Sequence, residues 1–159
     1  MSDPSGILNW LRLDDRVTIS GQPDEAQLAA IGALGVAHVI NLALHSHPKA
    51  LPDEAGTVHG LGMRYTHIPV DFDGPTEDNY RRFCDAMAAS AGASVHVHCI
   101  VNARVTAFFY RYQIDALGVD KGTARTMMEH VWRPGGVWAD FIGDTGTSGR
   151  PHRFANRDY

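Results

Sequence analysis

An α/β domain with a central, mostly parallel sheet of about 4–5 strands flanked by helices is the fold class the sequence predicts, and three observations predict it. Short β-rich stretches alternate with stretches of helical period along the chain. Proline, glycine and capping residues mark the boundaries at short intervals, as in one compact domain. The stretch 36–42 is apolar almost throughout, like a parallel strand buried on both faces.

The elements follow in order. Val17-Thr18-Ile19-Ser20 reads as a strand stopped by Gly21-Gln22-Pro23. Asp24 caps a helix whose Leu28, Ile31 and Leu34 face a core, and Gly35 closes it. Strand 36–42 comes next, then a loop over 43–52 and a short helix near 53–61. Met63 to Val70 is a strand ended by Asp71-Phe72-Asp73-Gly74-Pro75. Thr76 caps a helix with Glu77 and Asp78 in its first turn, where the helix dipole favours them, and with Tyr80, Phe83, Cys84, Met87 and Ala91 on its apolar face. Val95 to His98 is a short strand. Residues 104–117 form a helix with Val105, Phe108, Phe109 and Tyr112 on one stripe. A further helix carries Ala124, Met127, Met128 and Val131, and a last one follows Pro134-Gly135-Gly136. Residues 1–143 make a single domain, and 144–159 a polar C-terminal tail.

Composition narrows the function classes. The 159 residues are 44% apolar and 20% charged, which excludes a mostly disordered chain. No apolar run approaches the ~20 residues that span a bilayer, and the first ten residues lack the basic and apolar regions of a secretory signal. Two cysteines cannot build a disulfide framework. A cytoplasmic protein without a membrane partner is expected. The net charge of −4 argues against nucleic acid as a partner, because that binding draws on phosphate neutralisation. Lys49 and Lys121 are the only lysines among 14 basic residues. The rest are arginines, whose planar fork suits oxyanions, although a GC-rich coding sequence explains the bias as well.

The segment Val95-His96-Val97-His98-Cys99-Ile100-Val101-Asn102-Ala103-Arg104-Val105-Thr106 carries the chemistry. A strand ends, a cysteine follows, and an arginine opens a helix. Backbone N–H groups at a helix N-terminus bind an oxyanion, so Ile100, Val101, Asn102, Ala103, Arg104 and Val105 are candidate phosphate-binding positions. The same field favours a thiolate at Cys99. Arg104 can clamp two phosphate oxygens. A thiolate beneath a bound phosphate is placed to attack phosphorus, and Thr106 can support it as a leaving group. The bland alternative for Cys99 is a small buried hydrophobe, and for Cys84, on an apolar stripe, that is the preferred reading.

Upstream, Asp71 and Asp73 lie in a strand-to-helix loop where a general acid can protonate a leaving oxygen. Asp73 is slightly preferred, and the alternative is that both cap the Thr76 helix. The nine histidines include no HExxH and no Cys/His quartet, so no metal site is read. His96 and His98 share one strand face. His45 and His47 read as surface residues that can also line a rim. Trp132 and Trp138 read as packing for the C-terminal helices.

At these residues the chain resembles the cysteine-dependent protein tyrosine and dual-specificity phosphatases. It is most similar to their small bacterial branch, the beta-lactamase-hydrolase-like (DUF442) phosphatase domains. The resemblance spans about residues 7–143. It rests on Ser20-Gly21-Gln22-Pro23, Val39-Ile40-Asn41-Leu42, His67-Ile68-Pro69-Val70-Asp71, His98-Cys99 with Arg104, and Val131-Trp132 with Val137-Trp138 and Phe141. It implies a protein-tyrosine-phosphatase-like fold and a phosphocysteine mechanism without metal or other cofactor. Cys99 would be the nucleophile, Arg104 the clamp, a loop aspartate the acid, and His98 a support of the loop by hydrogen bonds. The substrate would be a phosphorylated protein or a small phosphomonoester. One departure matters: four residues separate Cys99 from Arg104, where family members usually carry five. Val105 takes the usual arginine position, and Thr106 keeps the usual place of the hydroxyl. One residue turns a helical side chain by about 100°. Asn102 stands where glycine is usual, and it tolerates positive φ.

Two other readings stay open. A rhodanese-like sulfurtransferase also sets a cysteine at a strand-to-helix loop, and the six-residue span Cys99–Arg104 suits it. A non-catalytic phosphate-binding module would keep the cradle and lose turnover.

Overall fold

The computed structural model describes residues 2–144. Their elements, in chain order, are β1 (Leu11–Arg12), β2 (Val17–Ser20), α1 (Glu25–Ala33), β3 (His38–Asn41), α2 (Glu54–Gly60), β4 (Arg64–His67), α3 (Glu77–Ala89), β5 (Val95–His98), α4 (Ala103–Asp115), α5 (Lys121–Glu129) and α6 (Gly136–Ile142). The sheet order is β1-β2-β5-β3-β4. β1 is antiparallel to β2, and the other three pairings are parallel.

Each expected element is present. Asp24 and Thr76 close capping boxes with Gln27 and Asn79, and Asp53 caps α2 through the Gly56 N–H. Two differences have physical reasons. Strands read over 36–42 and 63–70 are shorter in the sheet, although Leu42, Ile68 and Val70 continue the backbone hydrogen bonding from buried positions. Apolar burial runs on past the ends of regular pairing. β1 is a two-residue edge pairing, too short to leave a period in the sequence. The polar tail expected from residue 144 lies, past Asp144, outside the described residues.

Period-2 alternation divides the molecule into two layers. Val95 and Val97 of β5 face the larger core, built with Phe83 of α3, Phe108 and Phe109 of α4, Met128, Trp132 and Trp138. Val39 of β3 faces the smaller core of α1 and α2, with Leu28, Ile31, Val58 and Met63. His96 and His98 point to that second side and are fully buried, with the Trp10 ring stacked 5.2 Å from His96.

The register fixes the site. Ser20, His98, Asn41 and His67 stand in one row across the four parallel strands, each the last residue of its strand. All four strands therefore release their loops at one edge, where open α/β sheets bind ligands.

Candidate active site

The loop leaving β5 begins at Cys99 and turns into α4 at Asn102. Asn102 is left-handed, with φ 72° and ψ 7°, so asparagine does supply the turn that glycine would otherwise make. Its side-chain N–H donates to the Asn9 carbonyl at 2.8 Å, and Asn9 in return donates to the Val101 carbonyl at 2.9 Å. This clasp ties the N-terminal segment to the loop. Asn102 Oδ1 is left buried without a partner.

Three consecutive loop carbonyls are taken by specific donors. Cys99 O accepts from His98 Nδ1 at 3.1 Å, Ile100 O from the Gln22 backbone N–H at 3.0 Å, and Val101 O from Asn9. In a trans peptide the N–H points opposite to the C=O, and no peptide bond among the described residues is cis. Fixing these carbonyls therefore turns the N–H groups of Ile100, Val101 and Asn102 the other way. Among the described residues, no backbone N–H from Ile100 to Val105 donates to a protein acceptor. Six adjacent unpaired amides in a buried loop are donors that an anion could satisfy.

The Ser20-Gly21-Gln22-Pro23 segment supports this loop from below. A Cβ on Gly21 would lie 2.5 Å from Ile100 O, so only glycine permits the approach. Ser20 Oγ donates to Gly21 O at 2.7 Å and so accepts from His96 Nε2 at 2.8 Å. His96 Nδ1 then accepts from Thr18 Oγ1 at 2.8 Å. His96 is neutral in this arrangement, and burial holds its pKa well below the ordinary histidine value.

Arg104 is 1% exposed. Its Nη1 donates to the Val70 carbonyl at 2.7 Å, which anchors the guanidinium to the start of the acid loop. Nε has no partner, and no carboxylate among the described residues pairs with the cation. Its Nε is therefore a buried donor still open to an acceptor. The Phe72 ring lies over the guanidinium at 5.9 Å, and Trp138 Nε1 holds the Phe72 carbonyl at 2.6 Å.

Other sequence candidates fall as follows. Cys99 is fully buried beside the unpaired amides, and Cys84 is half-buried against the large core. The Thr106 hydroxyl donates to Ala103 O at 3.0 Å and accepts from Trp132 Nε1 at 3.1 Å, so its proton is committed away from the thiol. Asp71 Oδ1 accepts the Asp73 N–H at 2.9 Å and stabilises its own turn. Asp73 is exposed and, among the described residues, makes no ion pair or side-chain hydrogen bond. Thr76, not either aspartate, caps α3. His45 is exposed and stacks on His67 at 3.6 Å between ring centres, while His67 Nε2 donates to Ala43 O. Among the described residues no group of three or more His, Cys, Asp or Glu is arranged to hold a metal ion. No helix among them is long and apolar enough to cross a membrane.

Sequence reasoning missed Glu54. It is 3% exposed, and its two oxygens meet His98 Nε2 at 2.5 Å and Gln22 Nε2 at 2.8 Å. The available signal was an acid four residues before the buried Val58, on the stripe that should be apolar. Asn9 left no comparable mark.

No family model matches the chain. A candidate phosphatase (DUF442) from Shewanella putrefaciens CN-32 is similar in structure, with a TM-score of 0.76 and 31% identity over 91% of this chain and 92% of that one. A beta-lactamase hydrolase-like protein of Agrobacterium fabrum is 33% identical over 92 residues, which is 56% of this chain and 21% of that protein. TpbA of P. aeruginosa, solved with phosphotyrosine, shares the fold with a TM-score of 0.64 and 21% identity over 90% of this chain and 83% of that one. The fold is protein-tyrosine-phosphatase-like, and the chain belongs to the DUF442 family of phosphatase-like domains.

Proposed function

We propose that the protein is a cysteine-dependent phosphomonoesterase, with residues 1–143 as its catalytic domain and the cytoplasm as its place of action. The observation that carries this reading is a buried guanidinium without a carboxylate partner beside six unpaired amides. A buried cation of this kind is costly unless an anion meets it. A phosphate group supplies charge and acceptors together.

In the proposed reaction the dianionic phosphate of a monoester lies in the 100–105 loop, held by the amides and by the Nε edge of Arg104. The Cys99 thiolate attacks phosphorus in line, the bond to the ester oxygen breaks, and Asp73 gives that oxygen its proton. Asp71 is the second candidate for the acid. Water then attacks the phosphocysteine, the same aspartate takes the proton, and the S–P bond breaks to return the thiolate and inorganic phosphate. Thr106 would assist the departing sulfur only after releasing Ala103 O. The TpbA complex with phosphotyrosine supports a phosphate-bearing substrate, either a phosphoprotein of single or dual specificity or a small phosphomonoester. No metal or other cofactor enters the scheme.

Hydrolysis of 4-nitrophenyl phosphate tests it. Cys99→Ser is expected to abolish turnover, and Arg104→Lys, which removes the fork but keeps the charge, to lower kcat/KM by about 10²–10³-fold, as loss of a transition-state donor does. Mass spectrometry of Asp73→Asn quenched with substrate should find phosphate on Cys99. Equal rates in wild type and Cys99→Ser would remove the nucleophile. The six-residue span Cys99–Arg104 favours a second reading, a rhodanese-like sulfurtransferase, and rapid thiosulfate-to-cyanide transfer without phosphatase turnover would establish it. Tight phosphate binding with neither activity would indicate a binding module.

A further inference from the structure

We propose that Glu54 is a positioning residue that keeps His98 cationic beneath the Cys99 peptide and so favours the Cys99 thiolate, an inference that rests on the phosphocysteine reading. Both ring nitrogens of His98 face oxygen acceptors, the Cys99 carbonyl at 3.1 Å and Glu54 Oε2 at 2.5 Å. An imidazole that donates from both nitrogens is an imidazolium. The pair is sealed from solvent, with side chains 0% and 2% exposed, and Gln22 fixes the second carboxylate oxygen. Its positive end touches the peptide of the nucleophile, and its negative end points back into α2.

Among the described residues, the surroundings supply no competing anion. From β5, His96 stands with its ring centre 6.4 Å from His98, neutral by its bonds to Thr18 and Ser20. From β4 come His67, bonded to Ala43 O, and Tyr65, bonded to Asn41. From the loop after β3, His45 stacks on His67. Glu54 is the one carboxylate in this set. Burial pushes its carboxyl up, but the His98 charge and the hydrogen bonds from His98 and Gln22 outweigh burial and hold it below the ordinary range.

A buried ion pair is a poor device for stability alone, because a well-packed apolar pair commonly does as well or better. Here the pair has a directional use. Its donor fixes the carbonyl that turns the Ile100 amide toward the cradle, so the charge lies against the peptide that carries the nucleophile.

Glu54→Gln tests the charge with the contacts retained. The amide N–H can donate to His98 Nε2 and its oxygen can accept from Gln22, so His98 keeps only the Nδ1 proton it gives to Cys99 O. The expected result in the full chain is a rise of about one pH unit in the midpoint of Cys99 alkylation by iodoacetamide, followed peptide by peptide, with roughly tenfold less thiolate below it. The acid limb of kcat/KM for 4-nitrophenyl phosphate moves by the same amount. Nitrogen-15 NMR of the imidazoles, assigned with His98→Gln, should find His98 doubly protonated in wild type at pH 7 and singly protonated in Glu54→Gln. An unchanged or lowered alkylation midpoint in a folded Glu54→Gln overturns the proposal. So does a singly protonated His98 in wild type, which decides the matter even if the variant does not fold. Failure of the phosphocysteine reading is distinguishable: the NMR and alkylation results would stand while no phosphate appears on Cys99.

Discussion

The two faces of the sheet spend their buried volume differently. The α3–α6 side is an aromatic core in which Phe83 meets Phe108, Phe109 and Tyr112 edge-on at 5.1–5.6 Å. It contributes what dispersion and apolar burial contribute, and its details are exchangeable for others of the same volume. On the α1–α2 side a polar layer is inserted beneath the cysteine loop: Thr18, Ser20, His96, His98 and Glu54. Each has a hydrogen-bond partner within the layer or on the loop. Such a layer adds little net stability and is intolerant of change, because one removed partner leaves another group buried and unpaired. The comparison assigns stability to one face and loop geometry to the other.

The largest expected effect breaks the first half of that assignment. Phe83→Ala should cost about 3–5 kcal/mol, read as a shift in the urea midpoint, with kcat/KM per folded molecule nearly unchanged. A loss of turnover in the folded fraction as large as the loss of stability would mean that the aromatic face also sets the site. The second effect addresses the other half. Gly21→Ala places a Cβ against Ile100 O, a backbone atom that must move. Overpacking of this kind costs about 1–3 kcal/mol. The displaced loop is expected to lower kcat/KM by about 10²-fold, the scale of a 1 Å misplacement. Full activity with the same stability loss would show that the loop does not depend on the close approach.

The same division explains what the sequence made legible. Two helix starts were readable because Asp24 and Thr76 are short-range signals, each closing on an N–H three residues on; Asp53 and Asp120 cap their helices in the same way but were not singled out. The apolar face was readable by period, down to Phe83, Phe108 and Phe109. The order strand, cysteine, arginine, helix located the loop, and the left-handed Asn102 fitted its place in it. The supports were not readable in the same way, because they join residues far apart: Asn9 with Val101, Glu54 with His98, Val70 with Arg104. No local period encodes a hydrogen bond across 34 residues or more. The hydroxyl of Thr106 is a case of a right position with a different bond, since Trp132 and Ala103 O both reach it first.

The smallest expected effect is on pH, and it should come from the polar face. His96 is neutral when folded and titrates well below its ordinary 6.5, so the unfolded chain binds a proton there that the folded chain refuses. Folded stability is then fully present above about pH 6.5 and falls as pH drops below it, by up to about 1.4 kcal/mol per pH unit for one such group. His67, held low chiefly by burial, adds in the same direction. Glu54 acts at lower pH: its carboxyl is depressed from 4.5, so its contribution holds above that value and is lost as pH falls through the folded value. Urea titrations at pH 7.5, 6.5 and 5.5, compared between wild type and His96→Asn, isolate the His96 contribution. His96→Asn should be less stable than wild type at pH 7.5, because Thr18 and Ser20 lose a partner that spans them. It should also lose less on going to pH 5.5. Parallel wild-type and variant lines would place the acid sensitivity elsewhere and would leave the polar layer without its titrating member.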